Sequence, residues 1–592
     1  MLLRHPSQYR LRLLEDLFRT LGLPVIILYS LLTLLEWRLG KLTFIAYPTL
    51  ILIWASTRGS YESFRQRRAA QKLQASLIPQ VVGKWPGNLD ILLKMMSTIK
   101  TSYIQDAYLQ LFKEHQSTTL NLRILWRDNI ITMDQEHIKF LSATGFHHFW
   151  RGCAQKERLE LFLGKGIFNR DDEAWKMHRN IARPFFARER FSDFDVFERH
   201  CSHTLSVLAS HNNPTTPLDA QDLYGRFSLD AASEFLFGKS LDTLFGTLPI
   251  AGRSRLGPKG SLVEDSWGSF AQAFEMAQVN ATIRGQIGSI WPLFELLKDK
   301  NEEHCKIIHE WLDPLVRSSL EQKRKRKMAN IQSPISEKNF LEHLSESTDD
   351  SVLIRDQLLN MLLASRDTTS STLTYITYFL ALYPDVARRL RAEVLEQCGS
   401  RDAPTFEQLK SLKYMRAVIN ETLRLYPPVP LNIRETRESA CALPPCDPTN
   451  FNRSSWYMPA RTTIMYLPLL THRNPSLWGE DADQFNPERW IEPSRVALFV
   501  SNPTMFTPFS AGPRVCLGQN YAYNQLSYFM VRLLQKYDRF TLAPEAQPAG
   551  SLPPASWKSG AGRQAEEKIW PAASMTLYVK GGLWIRYHRA TS

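Results

Sequence analysis

Hydrophobic residues follow three regimes along this chain. From Leu21 to Leu35, and again from Leu39 to Ala55, they run almost unbroken, separated by Glu36, Trp37 and Arg38. Arginines flank the pair, with Arg10, Arg12 and Arg19 before it and Arg58, Arg65, Arg67 and Arg68 after it. Each run is shorter than the roughly 20 residues that cross a bilayer comfortably. Three placements follow: one span, a hairpin of two short spans, or one span beside an interfacial helix. No small-residue cleavage site follows the first run, which favours a retained anchor over a removed signal peptide. The plainer alternative is two core helices of a soluble domain, against which Tyr47-Pro48 and the arginine flanks read as interfacial. Lys72 to Gly87, with Pro79, Gly83, Pro86 and Gly87, reads as a linker. The expected organisation is an anchor over residues 1–75 and one large domain over 76–592.

Beyond the linker the spacing is mainly helical, with short strands expected within Leu122–Met133 and Thr462–Leu467. Ser351 to Tyr383 is the longest helical stretch, closed by Pro384, and at about 1.5 Å per residue it would run roughly 50 Å. The pattern breaks at Asn212–Pro217, at Gly252–Gly260, at the basic run Lys323–Lys327 and at the proline-rich Pro544–Ser559. All four read as surface loops. The predicted class is mainly α with a small β region.

Charge narrows the partners. A net charge of +13 and a pI near 9.3 suit nucleic acid, an anionic membrane surface or an acidic protein. No zinc-finger, helix-turn-helix or RNA-binding signature accompanies it, so no nucleic-acid partner is expected. Seven cysteines, at 153, 201, 305, 398, 441, 446 and 516, are scattered, odd in number and without Cys-x-x-Cys. That favours a reducing compartment over a disulfide framework or a structural zinc site.

One stretch carries chemistry by itself. Phe509-Ser510-Ala511-Gly512-Pro513-Arg514-Val515-Cys516-Leu517-Gly518 has the skeleton Phe-x-x-Gly-x-Arg-x-Cys-x-Gly, with a helix-forming run from Asn520 to Tyr537. Each fixed position has a job if Cys516 binds haem iron. A thiolate needs N–H donors and a helix N-terminus nearby to stay ionised and aimed at the metal. Gly512 and Gly518 leave room for a flat macrocycle, Arg514 can pair with a haem propionate through its planar fork, and Phe509 would shield the sulfur. The bland alternative, a buried free cysteine in a glycine turn, does not call for five specified residues at fixed spacing.

Three weaker stretches stand beside it. Trp175 and Arg179 share one helical face, where both can donate to a buried carboxylate. Within the long helix, Ala364-Ser365-Arg366-Asp367-Thr368-Thr369 interrupts an apolar run with polar groups that are costly unless used; a threonine hydroxyl beside a carboxylate can pass protons, although a polar helix surface would look the same. Glu421 and Arg424, three apart, could pair, and Arg489 from Pro487-Glu488-Arg489 could complete a buried structural network bracing the cysteine loop.

Taken in order, these motifs resemble the cytochrome P-450 superfamily from about residue 79 to the C-terminus. Gly164-Lys165-Gly166-Ile167-Phe168-Asn169 before Trp175, and Phe191-Ser192-Asp193-Phe194, are further similar to its fungal alkane- and fatty-acid-hydroxylating branch and basidiomycete relatives. The resemblance implies a helical prism with a small β region that holds haem b. Dioxygen is split, one atom entering a C–H bond of a lipophilic substrate and the other leaving as water. It implies Cys516 as axial ligand, Asp367 and Thr368 as proton carriers, and Trp175, Arg179, Arg434 and Arg514 around the propionates. Leu363, Ser365, Pro430, Leu431 and Met575 would line the substrate pocket. Electrons would come from NADPH through a separate NADPH–cytochrome P-450 reductase, with Lys176, Arg183 and Arg532 as its basic contacts. With the anchor in the bilayer, the body would sit on the cytosolic face of the endoplasmic reticulum. The sequons at Asn280, Asn420 and Asn452 would then go unglycosylated. The chain departs from the family at Ser365, where glycine is usual, and in extra length over 240–265 and 540–570, read as surface insertion.

Other readings remain at this level: a tailoring enzyme of a terpenoid or polyketide pathway, a haem-thiolate isomerase or dehydratase, and a non-catalytic haem-binding membrane protein.

Overall fold

The computed structural model describes all residues except 1–7, 39, 187–190, 212–215, 264–267, 330–337, 447–453 and 591–592. Leu39, Asn452 and most of the Asn212–Pro217 break lie outside the described residues. The chain divides into two units, residues 1–161 with 283–300 and 432–467, and residues 162–282 with 301–431 and 468–592.

In the first unit the expected strands form and pair. Asn129–Thr132 runs parallel to Thr463–Tyr466 with Ile131 opposite Met465, in a five-stranded sheet that adds Thr119–Asn121, Asn432–Thr436 and Phe149–Trp150. Ile130 and Ile464, both fully buried, form the core on one face with Leu141 and Phe149. The stretch read as a linker is woven in: Ala75–Leu77 is a strand parallel to Ser455–Met458. Its Pro and Gly residues follow the strand instead of replacing it, and Val81 is buried.

The N-terminal apolar runs are helical. Tyr9–Leu17, a π turn over Phe18–Gly22 and Leu23–Leu34 follow one another, giving 26 residues whose most apolar 18-residue window has a mean hydropathy of 1.8 and is almost wholly unburied. After a break, Thr43–Lys72 forms a 30-residue helix with Pro48 inside its first turns. By length and composition one helix, Tyr9–Leu34, can cross a membrane among the described residues.

In the second unit Ser351–Leu382 is a 32-residue helix. Asp350 starts it by accepting hydrogen bonds from the Val352 and Leu353 N–H groups. Pro384 stops it, because the residue before a proline is pushed out of helical geometry. Three hydroxyls of the serine and threonine cluster inside it need no outside partner. Ser365 Oγ donates to Met361 O at 2.8 Å, Thr368 to Ala364 O at 2.6 Å and Thr372 to Thr368 O at 2.8 Å, each hydroxyl turning back on its own helix.

Both insertions run along the surface, yet each sends side chains into the interior. The Gly252–Gly260 turn carries Lys259 into the interior. The 540–570 stretch buries Trp557 and Arg563, whose guanidinium Nε donates to Glu567 at 2.7 Å. Composition marked both as irregular, and they are; a Pro/Gly-rich segment still buries a side chain when a charge partner waits for it inside.

Candidate active site

The cysteine loop is built by backbone turns that need unusual φ. Ser510 and Gly512 have φ of 63° and 64°, a left-handed geometry cheap for glycine and costly for other residues. Ser510 N–H donates to Thr507 O, Val515 N–H to Gly512 O and Cys516 N–H to Phe509 O, each at 3.0 Å. Gln519–Lys536 then begins as a helix three residues beyond Cys516. Burial pushes the Cys516 thiol up, while the Gly518 N–H and the Arg179 charge pull it back. Yet Cys516 remains exposed as a residue. A sulfur that is crowded by protein and still accessible borders a hollow.

The surroundings fit a flat anionic cofactor in that hollow. Helix Ser351–Leu382 is buried through most of its middle, but Ala364, Ser365 and Thr368 on one face are only half-buried. The helix packs on Gln519–Lys536 through Thr369 Oγ1, which donates to Gln525 Oε1 at 3.3 Å. Gly518 has φ of −88° and a Cβ there would meet only Phe186, at 3.9 Å. The protein alone thus leaves space beside the loop. Arg179, half-buried, lies over the Trp175 ring at 5.8 Å and has no carboxylate partner among the described residues. Arg434, in the other unit, is 2 % exposed and its Nε has no hydrogen-bond partner. A guanidinium with no carboxylate beside it, as at Arg179, suits a carboxylate-bearing ligand. Arg514 is already partly committed: Nη2 donates to Asp171 Oδ1 at 2.8 Å and to Arg170 O at 2.9 Å, with the guanidinium 4.5 Å above the Trp175 ring.

A buried network leads back to the same loop. Glu421 accepts from Arg424 Nε and Nη2, both at 2.8 Å, from Trp490 Nε1 at 3.0 Å and from the Asn486 N–H at 2.9 Å, with Arg489 Nε at 3.4 Å. Burial, the largest single effect, would raise the Glu421 carboxyl, but the charge and hydrogen bonds of Arg424, the Arg489 charge and the Asn486 N–H together hold it low. Arg424 Nη1 donates to His472 O, and His472 Nε2 accepts from the Thr507 N–H at 2.9 Å, two residues before Phe509. Replacing Glu421 with alanine strands two buried arginines and should cost on the order of 3–5 kcal/mol. The fraction of protein recovered folded reads this, and a variant as stable as the parent would refute the network's role.

His472 was not foreseen from sequence. Because a backbone N–H donates to Nε2, the ring is neutral with its proton on Nδ1, and burial brings its pKa down to about 3. His178, also buried, falls to about 4. A histidine that is neutral when folded and titrates near 6.5 when unfolded stabilises fully above pH 6.5, and that stability drains away as pH falls toward the folded value. His472 alone should cost roughly 2 kcal/mol between pH 7 and pH 5. Thermal midpoints should drop across that interval; a flat profile would contradict the buried neutral ring.

Asp367 and Thr368 point to different surroundings. Thr368 is half-buried, with its hydroxyl on Ala364 O. Asp367, 5 % exposed, is held by Lys259 Nζ at 2.6 Å and Arg366 Nη1 at 3.2 Å. Lys259 also donates to Gln278 Oε1 at 3.0 Å and Thr576 Oγ1 at 2.8 Å. Burial alone would raise the Asp367 carboxyl, but Lys259 first and Arg366 second hold it below the usual range. Nothing in Gly257-Pro258-Lys259-Gly260 signals this role in sequence. Of the pocket residues, Leu363 and Pro430 are buried and Leu431 is half-buried. Met575 is half-buried in the turn between Pro571–Ala573 and Leu577–Val579. Leu577 N–H donates to Pro428 O at 2.9 Å, which brings the Met575 turn to the Pro428–Pro430 stretch. The Ser365 hydroxyl is spent on its own helix, so it adds bulk to the groove before it adds a donor.

Other expected groups are otherwise engaged. Asn280 is buried and donates to Asn301, and Asn420 accepts from Tyr523, so both sequon side chains are engaged inside the fold. Arg532 pairs with Glu198 and Lys176 with Glu173. Asp134, His137 and Cys446 gather in the first unit with metal-type atoms within 4.8 Å of one another. They are served without an ion: His137 Nε2 meets Pro444 O at 2.9 Å, and the Trp456 indole donates to Cys446 Sγ at 3.4 Å.

Comparison with known proteins agrees with this geometry. Residues 85–558 match the family model "Cytochrome P450". A cytochrome P450 monooxygenase, g430, of a Fusarium species is 32 % identical over 83 % of this chain and 84 % of its own length. Cytochrome P450 52E1 of Candida apicola is 36 % identical over 69 % of this chain and 75 % of its own. Cytochrome P450 52A1 of Candida tropicalis is 34 % identical over 73 % and 76 %. A cysteine loop opening on a hollow, a brace behind it and a match over most of the chain's length have one common explanation: the chain belongs to the cytochrome P450 family and is a haem-thiolate monooxygenase.

Proposed function

We propose that this monooxygenase hydroxylates medium- or long-chain fatty acids or alkanes, drawn from the membrane that holds residues 1–75, with residues 76–592 as the catalytic domain. The observation that carries the site assignment is Cys516, accessible and yet desolvated at the rim of a hollow. Bound haem supplies dioxygen activation there. Cys516 would ligate it, with the Gly518 N–H and Arg179 stabilising the sulfur's charge. Arg179, Arg434, Arg514 and Trp175 would hold its carboxylates, and Phe509, packed on Tyr523 at 5.2 Å, would keep water from the sulfur. Thr368 would present its hydroxyl and hand on a proton; Asp367, ionised against Lys259, would pass on the next one only after that bond loosens and the carboxylate takes up a proton from water. Leu363, Ser365, Pro430, Leu431 and Met575 bound an apolar space suited to an alkyl chain.

Electrons reach the site from NADPH through a membrane-bound flavoprotein reductase, and the body faces the cytosol from the endoplasmic reticulum. The relatives' kind, the apolar N-terminal helices and the basic charge support this reading. Membranes carrying the protein and reductase, given NADPH and a panel of fatty acids, alkanes and cyclic terpenes, test it by mass spectrometry. Hydroxylation at or near a chain end supports the reading. Oxidation of the cyclic compounds alone overturns it in favour of secondary metabolism.

A further inference from the structure

The apolar N-terminal segment is tied to the body at both of its ends. At the first end, Tyr9 and Leu13 are buried, and the Tyr9 ring packs on Trp291 with centroids 4.6 Å apart. Arg12 grips Glu157 with two bonds, 2.8 and 2.6 Å, and donates to Ser289 O. Asp16 bridges to Arg127 at 2.9 Å. At the second end, the polar half of Thr43–Lys72 docks on the same unit. Arg123 donates to Gly59 O at 2.7 Å and Ser63 Oγ at 2.6 Å, and Gln66 donates to Asp128 at 2.6 Å. The neighbouring residues Arg127 and Asp128 thus hold the two ends of one segment.

Between these ends the chain is apolar and bare. Ile26, Ile27, Leu31, Leu34, Phe44 and Ile45 are all exposed. The arms touch at their base, where the Trp54 indole donates to Arg19 O at 3.3 Å. We infer that residues 17–57 enter the bilayer as a helical hairpin whose two ends lie on the same face of the membrane, beside the body. The occupant of the bare surface is lipid: arginines 19 and 58 stand at the base where headgroups lie, and no charged residue lies on the arms until Glu36, Arg38 and Lys41 at the tip.

Length supports a hairpin over a single crossing. With Tyr9–Asp16 packed on the body, the first arm keeps Leu17–Leu34, about 27 Å, and the second keeps Thr43–Thr57, about 22 Å. Each falls a little short of the roughly 30 Å hydrocarbon layer, so the tip reaches the far headgroups through the long side chains of Arg38 and Lys41 and local thinning. A single crossing would instead carry Tyr9, Arg12 and Asp16 to the opposite face, breaking the Arg12–Glu157 and Asp16–Arg127 pairs and stripping the cover from Trp291.

This inference rests on the membrane reading above, and one experiment separates the two. The full chain carries one epitope ahead of residue 8 and another at the C-terminus, in sealed vesicles with the body outside. Under the hairpin both epitopes are cleaved by added protease without detergent, and the protein stays in the membrane through alkaline carbonate. If the first epitope is protected while the second is cleaved, in carbonate-resistant membranes, the hairpin is wrong and the anchor stands. Release of the chain by carbonate overturns the anchor and the hairpin together.

Discussion

Replacing Cys516 with alanine abolishes the thiolate-type carbon monoxide spectrum of the reduced protein and all NADPH-dependent oxidation, while the folded fraction falls little. The loop is shaped by Gly512, Ser510 and backbone bonds that do not use the sulfur, so its frame survives the change. What disappears is the sulfur proposed to hold the haem iron, whose ionised form the Gly518 N–H and the Arg179 charge favour. Cys446→Ala is the control, since that thiol is hydrogen-bonded by Trp456 and Thr118 in the other unit. Its spectrum should match the parent. A thiolate spectrum that survives in Cys516→Ala and is lost in Cys446→Ala would transfer the ligand assignment.

Local chemistry explains which parts of the site were readable in sequence. The cysteine loop was legible because its requirements are met within ten residues: two glycines, one arginine, one phenylalanine and a following helix. The long helix was legible from periodicity and its proline stop, and the two strands around Ile131 and Met465 from their alternation, though not their parallel pairing, which joins positions some 330 residues apart in sequence. The hydroxyl cluster misled in one respect. Ser365, Thr368 and Thr372 satisfy themselves on carbonyls four residues back, so the groups in that stretch that demand partners are Arg366 and Asp367. Lys259 and His472 were invisible because their partners lie 108 and 35 residues away, and a Pro/Gly-rich segment gives no sign that one of its side chains will be buried. The same blindness hid the ends of the membrane segment: Arg12 reads as a flanking charge in sequence, whereas in the fold it answers Glu157.

Lys259→Met inverts the pH dependence of the Asp367 region. In the parent, Lys259 and Arg366 hold the Asp367 carboxyl low, so the pair stabilises above the unfolded carboxyl's titration near pH 4 and is lost only in stronger acid. Without the ammonium, burial dominates and the carboxyl's folded pKa rises above its unfolded one. The sign then reverses. The unfolded chain gives up its proton near pH 4 and the folded one resists, so the variant loses stability as pH climbs from 4 toward its raised value. The penalty relative to the parent should be smallest in acid and reach on the order of 3 kcal/mol at neutral pH, the usual cost of stranding one partner of a buried pair. Lys259→Met with Asp367→Asn removes both charges and should recover most of that stability and flatten its pH dependence. Turnover separates the structural share from the chemical one: the double variant, folded and haem-loaded, lacks the carboxyl that feeds Thr368 and should consume NADPH with little product. Denaturation midpoints at several pH values and the ratio of product to NADPH read the two effects independently. A single variant whose penalty is constant with pH would mean that Lys259 serves Gln278 and Thr576 and leaves Asp367 alone.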